Sequence, residues 1–210
     1  MTELILVRHA QPHGGAADPG LTPAGQEMAR AAARWLAHDD VDIVVASPLR
    51  RAMETAQPIA AAVGRELLLH EGLREWDSVP PRPQYVPLEE HGLEHPRMRA
   101  LHEGRYESFR PTGYDEAAFL AGAAAALDSI FEQWPVERIV AVAHGGIINA
   151  LLDVVLRPRG GFFFAHLAYA SISIIERAPA GRMVVRSVND TGHLLGDRRP
   201  GTQRPTVLDG

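Results

Sequence analysis

Three short apolar runs in this chain stop on a charged or polar residue, and helix-length segments separate them. Glu3 to Val7 closes on Arg8-His9, Asp42 to Ala46 on Ser47-Pro48, and Arg138 to Ala143 on His144-Gly145-Gly146. Continuous apolar runs of strand length, alternating with amphipathic helices, are the pattern of strands buried on both faces. They predict an α/β fold, a three-layer α/β/α sandwich around a mostly parallel sheet. Ligands of such sheets bind beyond the carboxyl ends of the strands. Arg8, His9, Ser47 and His144 all fall there, so the pattern that sets the fold also marks the site.

The segments between support this reading. Thr22-Pro23 pairs a hydroxyl N-cap with a proline at the first helical position, and predicts a helix to about His38 with Met28, Ala31, Ala32, Trp35 and Leu36 facing inward. Ser47-Pro48 repeats that signal for a helix from Pro48 to Val63, stopped by Gly64. Leu67 to His70 reads as a third strand. An Ala-rich helix is expected from Tyr114 to Trp134 and another from Ile147 to Leu156. Ser171–Arg177 and Met183–Val188, joined by Ala-Pro-Ala-Gly, suggest a hairpin, and Asp197 to Gly210 a loose tail. Residues 78–112 differ in texture. Pro80, Pro81, Pro83, Pro87, Pro96 and Pro111 interrupt them, and only Arg97 to Glu103 looks helical. The whole reads as one domain, 1–210, with 78–112 inserted over the active site as a substrate region.

Composition narrows the chemistry. The 210 residues include no cysteine, which excludes a thiol nucleophile and a Cys-ligated metal. No lysine occurs either, so all 21 cationic side chains are arginine, and Schiff-base chemistry and lysine phosphate loops are excluded. A net charge of −5 argues against nucleic acid or an anionic membrane as partner. The apolar start, Leu4 to Val7, is too short for a signal peptide or membrane span, and a cytoplasmic protein is expected.

What gathers at the strand ends is an anion site. Two imidazoles (His9, His144), the arginines Arg8, Arg50 and Arg51, a carboxylate (Glu75) and a glycine-opened helix converge on one rim. Helix N-termini and arginine forks hold phosphate oxygens, and a neutral imidazole is a nucleophile near pH 7. Each piece has a plainer reading. A strand-end histidine is often a hydrogen-bonded structural residue, Arg50 and Arg51 suit a solvated helix face, and Glu75 beside Arg74 could form a surface ion pair. Their coincidence at strand ends favours the site. A metal hydrolase using His91, His95 and His102 is a weaker alternative, because Pro96 spoils the helical pair and no carboxylate completes the set.

Leu6-Val7-Arg8-His9-Ala10-Gln11 resembles the Arg-His-Gly signature of the histidine phosphatase superfamily, the phosphoglycerate-mutase-like proteins. Ser47-Pro48-Leu49-Arg50-Arg51-Ala52-Met53-Glu54-Thr55-Ala56 resembles its Ser-Pro-Leu-x-Arg-Ala-x-x-Thr-Ala element. Leu73-Arg74-Glu75 resembles Leu-x-Glu, and Val142-Ala143-His144-Gly145-Gly146 resembles Ser/Ala-His-Gly-Gly. Asn189-Asp190-Thr191-Gly192-His193-Leu194 is similar to a common C-terminal motif. The five occur in family order.

The resemblance implies a metal-independent phosphomonoester hydrolase with no cofactor, acting on a small phosphorylated metabolite. His9 would carry the phosphoryl group. Arg8, Arg51, His144 and the N–H groups near Gly145 would hold its oxygens. Glu75 would protonate the leaving group and then activate water. The arginines favour an ionised carboxylate, so burial of Glu75 must oppose them. Ala10 stands where the family has glycine, Arg50 adjoins Arg51, and Asp77 is a rival acid. A mutase would show Ser/Thr-x-Trp-Asn after the first histidine and Gly-x-Trp-Glu-Gly after the acid. Gln11-Pro12-His13-Gly14 and Trp76-Asp77-Ser78-Val79 stand there instead, which favours hydrolysis over phosphoglycerate-mutase-type transfer; a protein phosphohistidine phosphatase is a further, weaker alternative. Within 78–112, five arginines balance five glutamates, so no polyanionic substrate is indicated. Tyr85, Tyr106 and Phe109 suit packing more than contact with a leaving group. The partner is a small phosphorylated molecule, with oligomer state open.

Overall fold

A computed structural model describes residues 1–76, 78, 84–86, 94–103, 105, 114–135, 138–157 and 165–195, the side chains of Arg97, Leu101 and His102 excepted. Six strands, β1 (Thr2–Arg8), β2 (Ile43–Ala46), β3 (Leu67–Leu69), β4 (Arg138–Ala143), β5 (Ile172–Arg177) and β6 (Met183–Asp190), form one sheet. Its order is β3-β2-β4-β1-β5-β6. The pairs β3–β2, β2–β4 and β4–β1 are parallel. The β5–β6 hairpin adds two antiparallel pairings, through β5 to β1 and to β6. The sheet is therefore mixed, with the four strands that bear or approach the site running the same way.

The period of two divides the core. Ile5 and Val7 of β1 point with Val44 and Ala46 toward helices α1 (Pro23–Leu36) and α2 (Arg50–Val63). Leu4 and Leu6 point with Ile139 and Ala141 toward α4 (Glu116–Gln133) and α5 (Gly145–Leu156). Side chains alternating across a strand thus supply both faces of a three-layer sandwich. The short helix α3 (Pro96–His102) agrees closely with the one expected inside 78–112. Most of that insertion, with Asp77, Tyr106, Phe109 and His91, and the tail from Asp197, lies outside the described residues.

Local expectations hold and fail in instructive ways. Thr22 caps α1 by accepting from Gly25 N–H at 2.9 Å, with Pro23 at the first position. The buried stripe of α1 is Gly25, Ala29, Ala32, Ala33 and Leu36: Ala32 and Leu36 face inward as expected, whereas Met28, Ala31 and Trp35 are only half-buried. Small residues let the backbone approach its neighbours closely. A Cβ on Gly25 would run into the Gln11 carbonyl, so the bulkier Met28 and Trp35 are left at the edges. Gly64 takes the left-handed conformation (φ +66°) and stops α2 as expected. Ser47 does not cap α2, which begins at Arg50. The cap comes from a distant loop: the Asp18 carboxylate accepts from Arg50 N–H at 3.0 and 3.1 Å.

Candidate active site

The sheet register brings the strand ends together. Arg8 lies opposite Ala143, and Ala46 opposite Val142. His9 N–H donates to Ala143 O at 2.8 Å, and Ser47 N–H to Val142 O at 2.9 Å. His9, Ser47 and His144 therefore leave neighbouring strands at one level, and their side chains are buried.

His9 is fixed from both sides. Its Nδ1 lies 2.8 Å from Ala10 O, and Arg51 Nε–H points to its Nε2 at 3.3 Å. A carbonyl only accepts and a guanidinium N–H only donates. Nδ1 therefore carries the proton, and Nε2 presents a lone pair beside a cation. Ala10, where the resemblance expects glycine, is not in the left-handed region, so its Cβ costs no backbone strain. Its N–H donates to Thr55 Oγ1 at 3.0 Å, and Thr55 in turn donates to Arg51 O at 2.7 Å.

The arginine pair separates cleanly. The Arg51 side chain is 3% exposed, near the Asp18 carboxylate at 3.6 Å and above the Tyr85 ring at 4.5 Å. The Arg50 side chain is 62% exposed and paired to Glu54 at 2.7 Å. Arg8 donates through Nη1 to Leu167 O and lies 4.3 Å from the centroid of the Tyr169 ring. That ring also flanks His9, at 5.7 Å.

His144 is buried, 5.1 Å from the His9 ring. Its Nε2 meets Ser47 Oγ at 2.7 Å, and its Nδ1 is buried without a hydrogen-bond partner among the described residues. A Ser47 hydroxyl donating to Nε2 leaves Nδ1–H as a donor for a ligand. Burial foremost, then Arg51, His9, Arg8 and Arg74, holds this imidazole well below its ordinary pKa of 6.5. The sign of the resulting pH dependence follows. Above 6.5 the ring is neutral in folded and unfolded chains alike. Below it, the unfolded ring takes a proton that the folded ring refuses, so stability falls on acidification, by about 1.4 kcal/mol per pH unit. Urea midpoints should drop from pH 7 to pH 5 in the ligand-free protein, and less steeply in His144→Gln; equal slopes contradict the assignment.

Glu75 is half-buried, not deeply buried as the arginines were expected to require. Its carboxylate occupies the N-terminus of α5: Oε2 accepts from Gly146 N–H at 3.0 Å, and Oε1 from Ile147 N–H at 3.1 Å and Trp76 N–H at 2.9 Å. α5 thus starts at Gly145, two residues earlier than expected, and Glu75 takes part of the anion site assigned to its N–H groups. Gly145 lies against Arg8, and a Cβ on Gly146 would collide with Trp76 and Glu75. Trp76 meets Tyr114 edge-on at 5.0 Å.

The remaining candidates lie elsewhere. His193 is buried beside Trp35, ring centroids 6.1 Å apart, in the 3-10 turn after β6. Asp77 and His91 lie outside the described residues, as does the His102 side chain, while His95 is half-buried. Among the described residues no three His, Asp or Glu side chains cluster as metal ligands, and no helix is long and apolar enough to cross a membrane. Sequence reasoning missed Ser47 as a partner of His144, and Asp18, Thr55 and Tyr169 as supports of the arginines and His9. Only Ser47 and Thr55 carried a signal, since both lie inside the second motif.

The model of the histidine phosphatase superfamily (branch 1) matches residues 4–191. The chain belongs to that superfamily. The chain is 30% identical over 210 residues to a bifunctional protein of Mycobacterium tuberculosis, covering 92% of the chain but 55% of the relative, so it spans about half that protein's length. It is 27% identical to the uncharacterized phosphatase PhoE of Bacillus subtilis, over 93% of the chain and 98% of the relative. Among solved structures it is similar to a phosphoserine phosphatase mutant of Entamoeba histolytica in complex with phosphoserine. That match has a TM-score of 0.71 and 28% identity, and covers 92% of this chain and all of the other.

Proposed function

We propose that this histidine phosphatase hydrolyses small phosphomonoesters through a phosphohistidine on His9. The observation that carries the reading is the tautomer of His9: Nδ1–H is committed to Ala10 O, and the Nε2 lone pair sits beside Arg51. Nε2 forms the bond to phosphorus as the ester P–O bond breaks, and protonated Glu75 gives its proton to the departing oxygen. Water then attacks phosphorus, its proton goes to Glu75, and the P–N bond breaks to release phosphate and neutral His9. Arg8 and Arg51 neutralise the equatorial oxygens and the Nδ1–H of neutral His144 hydrogen-bonds to one of them, as phosphoryl transfer chiefly requires. The names of the relatives support hydrolysis, since phosphatases recur among them. The protein is read as cytoplasmic and as needing no metal or cofactor.

The test is turnover of a panel of phosphomonoesters in EDTA, with equimolar release of alcohol and phosphate. Arg51→Ala should lower kcat/KM by about 2–4 kcal/mol of transition-state stabilisation, roughly 30- to 1000-fold. Arg50→Ala should stay within a few-fold of wild type, because its charge is spent on Glu54 at the surface. Absence of phosphate release across the panel overturns the reading, and a reversed order of the two arginines overturns the role of Arg51.

A further inference from the structure

Arg8 is held by a segment with no regular structure of its own. Residues 165–170 lead into β5 and deliver two contacts to the guanidinium, the Leu167 carbonyl and the Tyr169 ring. An irregular segment must find partners for its backbone polar groups outside a ladder. Here two asparagine side chains supply them. Asn149, fully buried on α5, pairs with Ala165 in both directions: Nδ2–H donates to Ala165 O at 2.9 Å, and Oδ1 accepts from Ala165 N–H at 2.9 Å. A further Nδ2 bond reaches Gly145 O at 2.8 Å, tying the segment to the first turn of α5. Asn189, at the end of β6, accepts from Ala168 N–H at 2.7 Å and donates to His166 O at 3.3 Å. Its own N–H donates to Ser173 Oγ at 3.1 Å. These bonds fall on both sides of Leu167, the residue whose carbonyl takes Arg8.

The residue type fits the task. A primary amide offers donor and acceptor in one plane and so imitates a peptide group. Asn189 also has φ +59°, a left-handed conformation that asparagine tolerates better than most residues. Glycine shares that tolerance.

We propose that Asn189 and Asn149 are positioning residues for the phosphate-binding Arg8, acting through segment 165–170; the inference rests on the phosphatase reading of the site. Asn189→Gly isolates the effect, because glycine keeps the left-handed backbone while removing the amide. The readouts are affinity for inorganic phosphate and vanadate by calorimetry, kcat/KM on p-nitrophenyl phosphate, and thermal midpoint. Asn189→Gly is expected to lose roughly 10-fold in anion affinity and kcat/KM, below the ~10²-fold that an ångström of misplacement can cost. Asn189→Asp, which retains the acceptor for Ala168 N–H, should recover most of it. In an Arg8→Ala background the same glycine substitution should change affinity less than 2-fold, about the error within which independent effects add. A purely structural role would instead lower the thermal midpoint and give the same fold-loss in both backgrounds, which overturns the proposal. Asn149→Asp gives the same comparison if Asn189→Gly does not fold. Wild-type protein that binds neither anion overturns the phosphate site itself; wild-type binding left unchanged by Asn189→Gly overturns only the positioning role.

Discussion

Protein mixed with a radiolabelled phosphomonoester and quenched without acid should carry label on His9, lost in acid and kept in alkali. His9→Ala should abolish both label and turnover, the largest effect expected of any substitution here, because it removes the atom to which phosphorus bonds. The geometry also specifies the nitrogen. With Nδ1–H donated to Ala10 O, only Nε2 has a lone pair, so the phosphorylated product should be the Nε2 isomer, identifiable by phosphorus NMR. Label on serine or aspartate, or on Nδ1, would refute the mechanism.

The second large effect belongs to Glu75. General acid catalysis typically supplies ~10²–10⁴-fold and matters only when the leaving group needs a proton. Glu75→Gln should lose about that much on alkyl phosphates, whose leaving alkoxide is strongly basic. On p-nitrophenyl phosphate, whose leaving group is weakly basic, the loss should be markedly smaller and appear as a burst of nitrophenol ahead of slow dephosphorylation. In the ligand-free state the carboxylate is bound to three N–H groups. Asp77→Asn should show no dependence on leaving group. If the two variants exchange behaviours, Asp77 is the donor.

The parts of the site that were legible in the sequence are those set by the strand-end rule. Arg8, His9 and His144 close or follow buried strands, so their position follows from the sheet alone. Ser47 was legible as a residue but not as a role: Ser-Pro before a helix reads as a cap whether the hydroxyl turns to its own helix or to a neighbouring strand. The stripe of α1 agrees at Ala32 and Leu36 and differs elsewhere, because hydrophobicity favours Met28 and Trp35, whereas close packing favours Gly25 and Ala29. Arg50 and Arg51 differ by one step around a helix; the Ser-Pro-Leu-x-Arg register favours Arg51, and the structure buries that side chain beside His9 and Asp18 while Arg50 pairs with Glu54 at the surface. Tyr169 and Asn149 gave no signal, and Asn189 was legible only as the first residue of a C-terminal motif, without a role. They lie in or against an aperiodic segment, and the Arg8–Leu167 bond spans 159 positions, beyond any local pattern.

Gly146 constrains how such a site changes over evolutionary time. Any side chain there would strike both Glu75 and Trp76. A side chain at 146 therefore requires Glu75 and Trp76 to shift, and shifting the Glu75 carboxylate leaves the first N–H groups of α5 without it. The two positions are expected to be epistatic, and chains that carry the carboxylate at another position are expected to differ at the start of α5 as well.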